Sequence, residues 1–226
     1  MKITDKQEAI KEIEKSIDDY FSIYHFSNEL NNDKELVLKA VTKNGYNLKF
    51  ASKELQADRE VVLAAVMQEG NALCYASDEL RADREVILEA VKNNCYSFLD
   101  LPATQFNNLR NDKELALLVV RQKGRLLRFF GGNLKTDKDV ALEAVKESDT
   151  AFPYIGLELQ YNEEFLLEAI EQNHKVFNCA RSLLRNNKEF VLKAVKKNFN
   201  VLQYVRDDLK EEINKKIQDF IKNNLK

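Results

Sequence analysis

The residues able to make or break bonds are few in this chain. Two histidines, His25 and His174, and three cysteines, Cys74, Cys95 and Cys179, supply its imidazoles and thiols. A Cys–His pair would make a thiolate nucleophile, and a zinc-type centre would need such residues at short, regular spacing. His174 and Cys179 are the nearest pair in sequence, but Cys179 stands where related segments carry an aromatic ring. It is expected to pack rather than to attack. No dinucleotide fingerprint, phosphate loop or HExxH motif is present. Gly131 and Gly132 follow Phe129 and Phe130 and read as an early helix end, not a phosphate cradle. The expectation is no catalytic residue, no metal and no cofactor. An odd number of cysteines at unrelated spacings reads as free thiols in a reducing compartment.

What does recur is aromatic. Phe50, Tyr75, Phe129, Tyr154 and Tyr204 occupy one register, with His25, Asp100 and Cys179 standing in for a ring elsewhere. Rings of this kind recognise rather than react, since Tyr and Phe are favoured at interface cores. Single-stranded nucleic acid could also stack on them, given a basic track alongside. The dense basic segment is Arg121, Lys123, Arg125 and Arg128. Alternatively the rings fill a seam between neighbouring helices.

That register belongs to a repeat. Asp33, Asp58, Asp83, Asp112, Asp137, Asn162 and Asn187 are spaced by 25 residues, except for one interval of 29 between Asp83 and Asp112. A fixed period in this range marks a repeat array. Each of these residues is a helix N-cap, its side-chain oxygen accepting from the free N–H groups of the first turn. Apolar residues follow at positions 3, 4, 5, 7 and 8 after the cap, as in Val61, Val62, Leu63, Ala65 and Val66. So wide an apolar face suits a helix covered by neighbours on both sides. Gly45, Gly70 and Gly124, at position 12, are expected to stop the helix in the left-handed conformation. Apolar residues at positions 15, 18 and 22, as in Leu73, Ala76 and Leu80, predict a second helix of about eight residues, held by packing. The rings sit at position 17, off that buried face.

The chain reads as a single repeat domain over 1–226: a capping unit over 1–32, seven repeats over 33–207 and a capping helix over 208–226. Thr4 with Gln7 and Asp208 with Glu211 look like capping boxes, the second leading into Ile213, Ile217, Phe220 and Ile221. Ile23, Phe26 and Leu30 match the second-helix core of a degenerate zeroth unit. The four extra residues of the third repeat are expected as a loop near 102–109, because Pro102 ends a helix at or before Leu101. Insertions in repeats often map to a binding face. Gln105 in the insertion and Asp100, where a ring is missing, therefore join the five rings as candidate partner-binding residues.

Composition narrows the partners. With 35 Lys and Arg against 37 Asp and Glu, the formal charge is −2, which recruits neither nucleic acid nor an anionic membrane. No apolar run approaches a membrane span, and MKITDKQEAI carries no apolar signal segment.

The stretch LKAVTKNGYNLKFASKELQADREVVLAAVMQEGNALCYASDELRADREVILEAV resembles a helical repeat family, domain of unknown function four-one-one-six, whose pattern runs roughly VLxAVxxNGxxLxYASxxLxxD. The likeness is close from Asp33 to Val91 and extends to about Leu209. Later units lose the glycine, and Arg181 and Arg206 replace Ser52 and Ser77. The resemblance implies a helical array and no established activity. Its members occur mainly in intracellular bacteria and some protists, and some look like secreted effectors of host-associated bacteria.

These readings converge on an all-α, right-handed α-solenoid of two-helix repeats. The expected function is a non-catalytic protein-interaction scaffold, cytoplasmic or secreted into a host cell without a cleavable signal peptide. The alternatives are a single-stranded nucleic-acid-binding solenoid, or an enzyme or toxin with a site assembled across repeats.

Overall fold

A computed structural model describes residues 2–15 and 22–224, with side chains as far as 216. Ile217, Phe220 and Ile221 therefore lie outside the described side chains. The described residues are all-helical in tandem repeats, apart from one isolated parallel bridge between Ile3 and Phe26. The chain gathers into two compact units, Met1–Val119 and Val120–Lys226.

Each repeat opens as its sequence requires. All seven cap side chains accept backbone N–H bonds, as Asp58 does from Glu60 at 3.0 Å and Val61 at 3.2 Å. A ten-residue α-helix follows, Arg59–Gln68 in the second repeat. Val61, Val62, Ala65 and Val66 are fully buried, and Leu63 is half-buried at the edge of that face. Ile23, Phe26 and Leu30 are buried as well, so the zeroth unit has its core.

The second half of the repeat departs from expectation. In place of one helix there is a six-residue 3-10 helix, Gly70–Tyr75, then extended backbone at Ala76, then a single α-turn, Asp78–Arg81. Spacings of three and four suit both helix types, so the apolar pattern could not separate them. The 3-10 segment is started by a second cap just after the α-helix. Asn44, Asn94, Ser148, Asn173 and Asn198 each accept the N–H two residues on, as Asn44 does from Tyr46 at 2.9 Å.

The glycine reading is corrected too. Among the described residues none has positive φ, so Gly45, Gly70 and Gly124 do not stop helices in the left-handed region. They begin the 3-10 segments, where there is no room for a side chain. A Cβ on Gly70 would lie 3.0 Å from the Asn94 Cβ and closer still to the Ala90 carbonyl oxygen of the next repeat. Glycine is there for close approach of two backbones.

The insertion is helical, not a loop. Ala103–Leu109 lengthens the third repeat's last turn, with Pro102 in front of it. Proline ends one helix but is also tolerated at the start of the next, where no N–H is needed. At the termini, Asp5 rather than Thr4 caps the helix Lys6–Lys15, accepting from Glu8 at 2.8 Å. Asp208 lies inside the last helix, Asp207–Asn224, and pairs with Arg206.

Two ties between successive repeats, and one within the repeat, depend on contacts that the period alone does not show. First, the basic residue after several of the caps reaches acids of the next repeat. Lys34 lies 2.8 Å from both Asp58 and Glu60, and Arg84 lies 2.7 Å from both Asp112 and Glu114. Glu163 reverses the sign there and pairs with Lys193, and the cap it precedes is Asn187, which avoids a carboxylate facing it. Second, a backbone rung joins neighbours: Ser52 N–H to Asn31 O, Ser77 N–H to Gln56 O, and Gly156 N–H to Lys135 O, at 2.7–2.9 Å. Pro102 has no N–H for this rung; Gln105 Nε2 instead donates to Ala82 O at 2.8 Å. Within a repeat, a long donor near its end bonds the carbonyls where the 3-10 segment ends, as Gln56 Nε2 does to Leu48 O at 3.1 Å and Arg185 Nε to Ala180 O at 3.0 Å.

The clamps carry a pH dependence. Partial burial pushes the Asp33, Asp58 and Asp112 carboxyls up, but hydrogen bonds from the cation of the preceding repeat and from the helix N–H groups hold all three below the ordinary aspartate value. A group with a depressed folded pKa stabilises above its unfolded pKa, and that contribution is lost as pH falls through the folded value. Thermal stability is expected to hold down to the ordinary aspartate range and to fall below it. Asp58→Ala should cost about 1 kcal/mol in urea unfolding at neutral pH. Asp58→Asn, which keeps the cap but not the charge, should cost less and should weaken the acid-side loss. An Asp58→Asn protein with an unchanged acid limb would show that the clamp contributes nothing.

Candidate functional site

The candidate residues divide between the two units. In the first, Phe50, Tyr75, Asp100 and Gln105 belong to three successive repeats; in the second are Phe129, Tyr154 and Tyr204. All five rings are half-buried. Each ring closes a 3-10 segment, and three of the five meet a ring from a 3-10 segment of the preceding repeat. Tyr46 packs edge-on to Tyr75 with centroids 6.4 Å apart, and His174 stacks on Tyr204 at 5.8 Å. Tyr24 meets Phe50 edge-on at 5.6 Å. Cys179, where a ring is missing, is half-buried with its thiol 3.8 Å from the Asp149 carbonyl. Burial pushes that thiol's pKa up.

In the first unit this row continues outward as exposed apolar surface. Tyr24 is 69% exposed, Tyr96 47%, Tyr46 40% and Leu99 39%, all on or beside 3-10 segments. Lys49 Nζ lies 5.8 Å from the Phe50 ring centre and 5.9 Å from that of Tyr75, bridging the rings of consecutive repeats. Below them is a pocket of about 470 Å³, lined by Lys49, Lys53, Gln56, Cys74, Tyr75 and Arg81 among others. Arg81 ties this pocket to the irregular repeat: Nη2 donates to the Asp100 carbonyl at 2.9 Å, and Nη1 lies 3.4 Å from Asp78. Partial burial pushes the Cys74 thiol up, with a hydrogen bond to Tyr75 opposing it. A thiol held protonated is a poor nucleophile. The structure thus brings Tyr75 and Asp100 together around Arg81, with Gln105 bonded to the adjacent residue Ala82. Lys49, Arg81 and the exposed tyrosines were not singled out from the sequence. A cation next to the ring recurs at Lys49 and Arg128, and that repetition is the signal that could have found them.

In the second unit Arg128 sits over the Phe129 ring at 4.5 Å, and Arg125 Nε reaches the Tyr154 hydroxyl at 3.4 Å. The arginine beside it holds the Tyr154 phenol below its ordinary pKa. Arg181 covers Tyr161 at 4.1 Å and donates to its hydroxyl at 2.8 Å. Among the described residues no three His, Cys, Asp or Glu side chains converge as metal ligands, and no helix is long and apolar enough to cross a membrane.

Neither curated proteins nor solved structures give a match to this chain. A family model described as domain of unknown function (DUF4116) matches residues 13–56, 58–105, 107–160 and 162–210. Each match takes in about two of the 25-residue repeats. With these matches over most of its length, the chain belongs to the DUF4116 family.

Proposed function

We propose that this protein is a non-catalytic protein-interaction scaffold, and that its first unit docks a partner protein on the row of 3-10 segments. The observation that carries this reading is the run of exposed Tyr24, Tyr46, Tyr96 and Leu99 beside half-buried Phe50 and Tyr75. Exposed aromatic side chains recurring along one row of segments suit a protein interface. Tyrosine adds a hydroxyl that can bond at the rim, and its ring is held at little entropic cost. The adjoining pocket offers Lys49, Lys53 and Arg81 for polar contacts.

Stacking of the repeats into a right-handed α-solenoid is part of the same proposal. The charge clamps and backbone rungs between consecutive repeats within each unit support it. Resemblance to effector-like members of the family favours a host protein as the partner and a secreted effector of a host-associated microbe as the setting.

The test is capture with a surface variant. Tyr46→Ser combined with Tyr96→Ser is expected to cut recovery of the partner from native or host extract by roughly fivefold or more, the loss expected for interface anchors. Its thermal unfolding should stay near that of the unaltered protein. Equal recovery by both proteins would remove the reading. A second reading, single-stranded nucleic acid, draws on Lys49 between the Phe50 and Tyr75 rings. It predicts oligonucleotide binding that weakens steeply with salt.

A further inference from the structure

The second unit holds a pair of arginines that no carboxylate among the described residues neutralises. Arg121, nearby in sequence, lies 3.4 Å from Glu143. Arg125 and Arg128 are exposed, and among the described residues neither makes an ion pair. Glu147, the carboxylate that reaches this segment, accepts the Gly124 N–H at 2.7 Å. The two guanidinium groups are instead oriented by aromatic rings. Arg128 lies 4.5 Å over Phe129, and Arg125 Nε is 3.4 Å from the Tyr154 hydroxyl. Lys135 extends over the same segment, its Nζ 3.1 Å from the Arg128 carbonyl.

Like charges held side by side without a carboxylate cost free energy, which an incoming anion would recover. The rings already restrict the two side chains, so less rotamer freedom is lost when they bind. Guanidinium forks match oxyanions two N–H groups at a time. A carboxylate would leave this cluster positively charged. A phosphate monoester, carrying about −1.5 to −2 at neutral pH, balances two guanidinium groups.

We propose that Arg125, Arg128, Lys135 and the Tyr154 hydroxyl form a binding site for the phosphate of a phosphorylated peptide. The faces of Phe129 and Tyr154 supply the apolar wall against which the peptide lies. The peptide source is favoured over nucleic acid because the cluster is local. Thr150 and Pro153 stand in the next repeat where Arg125 and Arg128 stand here, so no basic track continues for a phosphodiester backbone. The formal charge of −2 also gives no general pull on polyanions. That the partner is a protein rests on the proposed function; the phosphate chemistry rests on this cluster alone.

The test is an NMR titration of the whole chain, following the arginine side-chain N–H signals. The probes are glycine-flanked phosphotyrosine and phosphoserine pentapeptides, their unphosphorylated counterparts and a short oligothymidylate. Saturable shifts of Arg125 and Arg128 with at least one phosphopeptide, and none with the unphosphorylated peptides, are expected. Arg125→Gln should weaken that binding roughly tenfold, as should Arg128→Gln, since each removes a charge-assisted hydrogen-bond partner. Both side chains are exposed, and an unchanged thermal transition will show that the variants fold. No saturable shift at millimolar phosphopeptide overturns the proposal, as does equal binding of the unphosphorylated peptide. Tighter binding of the oligothymidylate at the same arginines overturns it in favour of nucleic acid. None of these failures touches partner capture through Tyr46 and Tyr96 in the first unit, so the two proposals fail separately.

Discussion

Leu73→Ala lowers the unfolding free energy by about 2–5 kcal/mol, the range for deleting a buried leucine side chain. Leu73 is 1% exposed and sits in the 3-10 segment Gly70–Tyr75. That segment is backed by the wholly buried Val61, Val62, Ala65 and Val66 of its own repeat's first helix. Gly70 presses on the backbone of the following repeat at Ala90, and the Ser77–Gln56 rung fixes the segment's far end to the repeat before. A site tied on both sides cannot relax into the vacated volume, so the cost should fall toward the upper part of that range. Urea unfolding followed by circular dichroism reads it. Leu183→Ala, at a leucine 80% exposed, serves as the comparison and should stay within about 0.5 kcal/mol. A loss at Leu73 no larger than that at Leu183 would mean that the core faces are wrongly assigned.

Gly70→Ala comes next in size. In a position that alanine can adopt without strain, Gly→Ala stabilises by about 0.4–1 kcal/mol through the unfolded chain. Here the added methyl overlaps the Ala90 carbonyl and crowds Asn94, so adjacent repeats must separate. Overpacking of this kind costs about 1–3 kcal/mol. Gly132 provides the opposite case, since a Cβ there meets nothing within 4 Å. Gly132→Ala is expected to be neutral or mildly stabilising. Gly70→Ala should therefore lower the thermal midpoint, and Gly132→Ala should leave it unchanged or raise it. A neutral Gly70→Ala would remove the claim that this glycine serves close approach.

These glycines show where sequence reading succeeds and where it stops. Asp33 to Asn187 declared the period, the caps and the start of the first helix of each of the seven repeats, because a cap is a local event between a side chain and its own first turn. Val61 to Val66 declared the buried face for a similar reason. Gly70 was misread because a left-handed helix stop and a tight backbone contact both call for glycine, and only the neighbouring repeat distinguishes them. Pro102 was read as a terminator, yet it also precedes the helix Ala103–Leu109. Asn44 and Asn198 go unmarked by the apolar pattern, yet their bonds to Tyr46 and Asn200 start the 3-10 segments. Lys34 and Arg84 carry no signal in the sequence, because their partners, Asp58 and Asp112, lie 24 and 28 residues on.

The candidate surface was legible in the same uneven way. Phe50 and Tyr75 were found by their register. Their half-burial was not, since Tyr24, Tyr46 and Lys49 set it from outside that register. Asp100 and Gln105 were chosen because the period fails there. The structure places them at Arg81 and Ala82, where a proline has removed the usual backbone rung.

The central claim is that the 3-10 row of the first unit is where a protein partner docks. Photo-crosslinking tests it most directly, with benzoylphenylalanine placed in turn at Tyr46, at Tyr96 and at Met67. Met67 is 63% exposed but belongs to the helix Arg59–Gln68, outside the row. The account predicts one discrete crosslinked protein from Tyr46 and from Tyr96, and none from Met67. Equal labelling from all three positions, or from Met67 alone, would contradict it.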